Sequence, residues 1–386
     1  MSRILDAVIV GGGAVGATAA LELQRKGLQV ALIEPHEPAP WNSQNKDLRV
    51  FAIAPDSMAL LDDVGAGARI RQLRAPAYRR MQVWDAAAPK QPIVFSAAAL
   101  ARPQLGWIVE NALLQDALWQ SLRATDVRLL LGTRVVEIAN EERSVRLVLD
   151  SGEHLEARRV LAADGGGSQV RQSIGIETKA HDYGQRGIVA YVEHELDHQS
   201  TCWQRFLPTG PLAFLPVEGR TSSIVWSVPD ALAQELLALD DAQFLQRLER
   251  AFDSPLGALT AVSKRAAFPL RRQLATSFVE GRVALLGDAA HVVHPLAGQG
   301  VNIGFRDVLG LRELTVGTAW DEQAAWNRWG RTRRSESAVA AYGFEALNAL
   351  FSSDAVLPTL VRGPALGVVN RIPSLTRAFW RKAAGL

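Results

Sequence analysis

The sequence predicts an α/β protein: a doubly wound parallel sheet begun at the N-terminus, interrupted by an antiparallel-sheet insertion of α+β character, completed late in the chain and followed by a helical C-terminal tail. Three features predict it. Leu5 to Val10 is a short apolar run followed by a glycine turn, a helical stripe and a second apolar run, which is a strand–helix–strand unit. Residues 186–228 alternate as strands do and are broken at Pro208, Gly210 and Gly219. Val283 to Leu286 then returns to a buried, parallel-type strand ahead of another glycine-rich turn and a long helix.

In chain order, the first helix runs from Ala14 to Lys26 and the second strand from Leu28 to Ile33, ending at Glu34. Residues 35–47 are rich in proline and asparagine and read as a loop. Ser57 to Gly65 reads as a short helix. Asn111 to Arg123, with leucines at 113, 114, 118 and 122 on one stripe, reads as a longer one. Val135–Ile138, Val145–Leu149 and Arg159–Ala162 are short strands, with Asp150-Ser151-Gly152 as a turn. Residues 230–253 form one or two helices, and the chain from 320 is mostly helical. The division this implies is 1–74, 100–178 and 268–345 for a discontinuous nucleotide-binding domain, 75–99 and 179–267 for a β-sheet domain, and 346–386 for the tail.

Bulk properties narrow the function. The 386 residues, 48% of them apolar, suffice for a large core. A net charge of +2 disfavours a nucleic-acid-binding role. The single cysteine, Cys202, rules out a disulfide framework and reads as a small buried residue. With the first strand starting at Leu5, no signal peptide fits before the fold, and a cytoplasmic setting is expected. No run reaches the roughly 18 apolar residues of a membrane span.

Three motifs carry the chemistry. Gly11-Gly12-Gly13-Ala14-Val15-Gly16 fits GxGxxG between a strand and a helix, the Rossmann-like arrangement. Gly11 allows the tight turn, Gly13 lets a pyrophosphate approach the backbone, and Gly16 lets helix and strand pack closely. The helix N-terminus, with Ala14 and Val15 in its first turn, offers N–H groups to the diphosphate. Glu34 ends the second strand, where a carboxylate can take hydrogen bonds from an adenosine ribose and would repel a 2′-phosphate. The second motif runs from Asp164 to Arg171, glycine-rich and following a strand, with Ser168 as a helix cap. The third runs from Gly287-Asp288 through His294-Pro295-Leu296-Ala297-Gly298-Gln299-Gly300-Val301-Asn302 to Gly304 and Asp307. Asp288 ends a buried strand, where its carboxylate can hold a ribityl hydroxyl. The turn at Pro295–Gly300 leads into a helix whose N-terminus can face the negative charge of a reduced flavin.

In this order the three motifs resemble the group A flavoprotein monooxygenases, the family of para-hydroxybenzoate hydroxylase. The run from His294 to Gly304 with Asp307 is similar to the signature of the ubiquinone-biosynthesis hydroxylases within that group. The resemblance implies FAD, held by Gly11, Gly13, Ala14, Val15, Gly16, Glu34, Arg49, Asn111, Val135, Asp164, Asp288, Gly298, Gln299, Gly300, Val301 and Asn302, with Pro295, Gly298 and Gly300 forming the wall beside the flavin ring. Asp47-Leu48-Arg49 matches the segment where the family's arginine approaches the flavin, while Asn111 stands where relatives often carry arginine. The resemblance also implies a cycle. NADPH or NADH reduces FAD transiently, molecular oxygen adds to give a C4a-hydroperoxyflavin, and oxygen passes to an electron-rich phenol, so that the protein supplies position, charge and dryness. A polyprenylated phenol of ubiquinone biosynthesis is the expected substrate. The alternatives are a small soluble aromatic, an isoprenoid-directed epoxidase or reductase, and a non-catalytic FAD-binding subunit of a biosynthetic complex.

The remaining signals are weaker. His291 and His294 are not expected to bind a metal, since no cysteine or carboxylate pairing accompanies them. His181, His194 and His198 read as surface residues. From Ala355 to Leu386 the chain holds Arg362, Arg371, Arg377, Arg381 and Lys382 and no acid. With Leu375, Phe379 and Trp380, this tail either packs as an ordinary helix or lies on an anionic membrane, on the inner face, where a prenylated substrate would reside.

Overall fold

The computed structural model describes residues 4–85, 92–253, 255–293 and 300–352, with the side chains of the last helix followed through Gly343. Among them are an eight-stranded, a nine-stranded and a three-stranded sheet. The eight-stranded sheet is parallel at its centre, where Val283–Leu285, His154–Ala162, Leu5–Val10, Val30–Glu34 and Arg128–Leu131 lie side by side. The central strands are apolar because both faces are covered: Ala7, Val8, Ile9, Ala31, Leu32 and Ile33 are all fully buried. Helices Ala14–Arg25 and Asn111–Arg123 pack against each other, the second through the predicted leucine stripe. The second strand begins at Val30 rather than Leu28, because Gly27, in the left-handed region, closes the helix and Leu28 and Gln29 are used to turn back.

The nine-stranded sheet is built on Thr178–His194, which pairs with Thr221–Pro229 on one side and Ala266–Ala275 on the other. Thr201–Leu207 and Gly210–Pro216 continue it towards Arg80–Asp85 and Ile93–Ser96. Two helices, Asp230–Ala238 and Asp241–Phe252, bring a core of Trp84, Phe214, Trp226, Phe244 and Phe252 onto one face. The opposite face, through Tyr191, Cys202 and Leu215, packs on the three-stranded sheet of Val50–Ile53, Ala77–Tyr78 and Gly106–Glu110. The expected boundary at 268 cuts through the strand Ala266–Ala275, which follows its partner along its whole length, and His291–Val292 adds a further strand to the same sheet. The chain thus passes between the sheets through paired backbone.

Two of the three histidines expected at the surface are buried. His194 bridges the Leu196 carbonyl at 2.7 Å and Ser222 Oγ at 3.0 Å. His198 meets the Val217 carbonyl at 2.8 Å through Nε2, and its Nδ1 accepts from Ser200 N at 3.1 Å. Each ring satisfies turn backbone that a hydrophobic residue could not, which is why the pattern looked polar. His181 is exposed as expected. Helix Gln323–Ser352 closes the described chain, and the expected tail beyond it lies outside the described residues.

Candidate active site

The register of the parallel sheet assembles the site. Val10 lies beside Ala162 and Ile33, and Ala162 beside Leu285, so four strands end along one edge. Each ends in or is followed by one of the singled-out groups: Glu34 closes one strand, and Gly11, Asp164 and Gly287-Asp288 follow the others. That edge is where ligands bind in open α/β sheets.

At the first turn Gly11 has φ +102°, and a side chain there would meet the Ala163 carbonyl at 2.4 Å. A Cβ on Gly16 would lie 1.9 Å from the Gly11 carbonyl, whereas one on Gly13 would meet nothing within 4 Å. The first and third glycines are therefore required by the protein itself, and the second faces open space beside the helix N-terminus. Ala14 and Val15 are half-buried at the same opening. Glu34 accepts from Gly12 N at 2.5 Å and His36 N at 2.9 Å, which fixes its carboxylate beside the glycine turn. Trp119 supports the turn from below: Nε1 donates to the Gly12 carbonyl at 2.8 Å. Val135 is half-buried and begins the strand after Leu131, itself paired with Glu34, so it stands towards the same end of the sheet.

Arg49 and Asn111 are brought together by backbone. Asn111 N donates to the Arg49 carbonyl and Ala112 N to Asp47 Oδ2, each at 2.9 Å. Buried Glu110 accepts from Arg74 at 2.8 Å, anchoring the same segment. Asp164 Oδ2 accepts from Val170 N at 3.2 Å, while its buried Oδ1 has no partner among the described residues. Arg171 joins the second and third motifs, donating to the Gly166 carbonyl at 3.0 Å and the Ala289 carbonyl at 2.8 Å.

Asp288 is open to solvent by surface area, yet protein atoms crowd it enough that desolvation pushes its carboxyl up. Both hold for a group on the floor of a concave cleft. His291, Arg49 and Arg271 act in the opposite direction, so two arginine cations face this carboxylate. Behind it, Asp307 is fully buried and accepts from Gly287 N at 3.0 Å, His291 Nε2 at 2.7 Å and Arg333 Nε at 2.9 Å. Burial alone would raise the Asp307 carboxyl, but His291, Arg333 and the Gly287 N–H together hold it below the usual carboxylate range. This network ties helix Gly300–Leu314 to the turn that presents Asp288 and occupies the His291 nitrogen.

Gly300 and Val301 begin that helix, half-buried. Asn302 is turned inward: Oδ1 accepts from Ala54 N at 2.9 Å and Nδ2 donates to the Ala52 carbonyl at 2.8 Å, locking the helix to the strand after Arg49. His294, Pro295, Gly298 and Gln299 lie outside the described residues. Trp119, Arg171 and Arg333 were not assigned roles from sequence. Trp119 sits on the leucine stripe and reads as core, and Arg333 meets Asp307 from a helix turn with no local signal.

The site so built fits a dinucleotide with a ribityl arm. It has an open glycine opposite a helix N-terminus, an acid at the ribose position, an orphaned Asp164 oxygen and an acid on the cleft floor. Residues 5–315 match the FAD binding domain family. The chain belongs to the FAD-dependent monooxygenases of this family, and within them to the ubiquinone-biosynthesis hydroxylases. It is 37% identical to 3-demethoxyubiquinol 3-hydroxylase of Escherichia coli (strain K12) over 388 residues, covering 99% of this chain and 98% of that protein. With the mitochondrial ubiquinone biosynthesis monooxygenase COQ6 of Homo sapiens it shares 32% over 429 residues, covering 96% and 91%. Among solved structures, p-nitrophenol 4-monooxygenase PnpA from Pseudomonas putida DLL-E4 superposes with a TM-score of 0.80 at 20% identity, covering 100% and 99%. Klebsiella pneumoniae HpxO, complexed with FAD and uric acid, superposes at 0.75 with 19% identity, covering 96% of each chain.

Proposed function

We propose that this FAD-dependent hydroxylase acts on the ring of a polyprenylated phenol in ubiquinone biosynthesis, with NADPH or NADH as transient donor and molecular oxygen as co-substrate. One observation carries the reading: near-full-length similarity to ubiquinone hydroxylases in a chain whose three cofactor motifs converge on one sheet edge. Reduced FAD supplies the oxygen activation. The chain's own groups do the rest. The N–H groups from Gly13 to Gly16 receive the diphosphate, with Ala14 and Val15 shaping the opening. Glu34 holds the adenosine ribose and Val135 flanks it. Arg49 and Asn111 close over the diphosphate side. Asp164 and Asp288 accept hydroxyl hydrogen bonds along the ribityl arm. Gly300 and Val301 open a helix N-terminus towards the ring, and Asn302 holds that helix in place. From the sequence, Pro295, Gly298 and Gly300 are assigned to the wall beside the ring, the first two lying outside the described residues.

The test is NAD(P)H oxidation by the purified holoenzyme with a detergent-dispersed prenylated phenol, beside small soluble phenols. Stimulation and a hydroxylated product with the prenylated phenol support the reading. Stimulation by soluble phenols alone would replace it with catabolic hydroxylation.

The described helices include none long and apolar enough to cross a membrane. The basic residues from Arg362 to Lys382 support a surface contact with anionic lipid near the substrate. Pelleting with anionic liposomes that persists after deletion of 372–386 would refute that contact.

A further inference from the structure

A cleft of about 610 Å³ separates the helix Gln323–Ser352 from the turn that joins Ala266–Ala275 to Val283–Leu285. Gly330 sets the approach of helix to turn, since a Cβ there would lie 2.9 Å from Val279 Cγ2. Gln323, Asn327, Arg331, Arg334 and Ser335, at helical spacing, line the cleft from one face of the helix. On the other wall Glu280 and Gly281 precede the strand Val283–Leu285, whereas Asp288 follows it. The cleft therefore lies at the opposite end of that strand from the cofactor edge.

Hydrogen-bond direction makes the helix face a surface of donors. Buried Arg159 can only donate, and its Nη1 meets Gln323 Oε1 at 2.9 Å. That fixes the amide, so Gln323 Nε2 donates to Asn327 Oδ1 at 2.9 Å, and Asn327 Nδ2 is the group left to donate. Burial lowers the pKa of Arg159 only to about 10, so its charge beneath the cleft persists at neutral pH. Arg334 Nε donates to the Ala275 carbonyl at 3.3 Å, which orients the guanidinium and leaves both Nη groups free to bond elsewhere. Among the described residues neither Arg331 nor Arg334 has an ion-pair partner, whereas Arg333 has two, Asp307 and Glu336. Glu280, the one acid among the lining residues, is exposed. Residues three apart on a helix have Cβ atoms roughly 5–6 Å apart, so the two guanidinium groups can grip one tetrahedral oxyanion between them.

We infer that this cleft binds a phosphate ester, held by Arg331 and Arg334 with Asn327 Nδ2 as a third donor. Each guanidinium fork matches two phosphate oxygens. A soluble phosphorylated metabolite and a phospholipid headgroup carry this same chemistry. Val339 and Tyr342, 53% and 47% exposed farther along the helix, would meet acyl chains only in the second case. The site does not depend on which phenol the enzyme hydroxylates.

The test uses the FAD-bound holoenzyme, in which the cofactor's own diphosphate fills its site. Inorganic pyrophosphate is titrated calorimetrically, and co-sedimentation is measured with phosphatidylcholine vesicles with and without phosphatidylglycerol. Wild type should bind at least one probe saturably. Arg331→Gln and Arg334→Gln should each weaken that binding about tenfold, as the loss of a charge-assisted hydrogen bond predicts. Asn327→Asp should weaken it at least as much, because a carboxylate then faces the anion. Pyrophosphate binding that responds in this way, without vesicle binding, identifies a soluble phosphate ester. Vesicle binding that requires phosphatidylglycerol and responds in the same way identifies a headgroup. Arg331 and Asn327 are exposed, so their variants keep the test decisive should Arg334→Gln fail to fold. Saturable binding of neither probe would overturn the proposal. So would binding undiminished in Arg331→Gln and Asn327→Asp, which for vesicles would assign the contact to the basic tail.

Discussion

The parallel sheet and the nine-stranded, mostly antiparallel sheet use their residues in opposite ways. In the parallel sheet, strand ends place backbone and short acids against a ligand: Gly11 and Gly13 after one strand, Asp164 after another, Asp288 after a third. Such contacts tolerate few residue types. The nine-stranded sheet instead spends its residues on packing, one face under its two helices and the other against the three-stranded sheet that follows Arg49. A ligand edge therefore leaves its mark in residue identity, whereas a packed sheet leaves it only in the alternation of apolar residues.

This contrast is open to perturbation, and the largest effect is expected at Gly16. Valine there must push its Cβ into a carbonyl 1.9 Å away, so Gly16→Val should yield no soluble holoenzyme on expression. Next, Asp307→Asn removes the charge that His291 and Arg333 share, leaving the buried Arg333 guanidinium only its ion pair with the exposed Glu336. A loss of about 3–5 kcal/mol is expected in denaturant unfolding. The pH dependence follows from the depressed carboxyl. Its stabilisation is complete above the ordinary value of 3.8 and fades as pH falls through the lower folded value. Asp307→Asn should flatten that acid limb, and an unchanged limb would dismiss the network as a stabilising element.

Smaller effects separate binding from folding. Asp288→Ala should keep its Tm as apoprotein but release FAD, since a charge-assisted hydrogen bond of about 1.5–3 kcal/mol is removed. Full flavin occupancy would show that Asp288 does not hold the ribityl arm. Gly13→Ala should be the mildest for the apoprotein, because the added Cβ meets nothing within 4 Å, while FAD affinity falls. Equal FAD affinity would mean that the diphosphate does not pass over Gly13.

Much of the parallel sheet was legible because its strands are buried on both faces and its turns need glycine. The leucine stripe placed Asn111–Arg123 at its observed ends. The limits of the second sheet were not legible. The strand Ala266–Ala275 belongs there through pairing with the distant strand Thr178–His194, which local pattern cannot express. The burial of His194 and His198 is illegible for a related reason: their partners are the Leu196 and Val217 carbonyls, the Ser200 N–H and the Ser222 hydroxyl, which local pattern does not reveal. Arg333 escaped because a helix-borne arginine reads as solvated until Asp307 is found beneath it.

The central claim is that this site binds FAD and uses it to hydroxylate a prenylated phenol. Its most direct test is a single preparation, examined first for the absorption of oxidised flavin and then for phenol-stimulated NAD(P)H oxidation with product analysis. The account predicts bound flavin, stimulation and a ring-hydroxylated product. A protein that takes up no FAD even on reconstitution would contradict it at the first glycine turn.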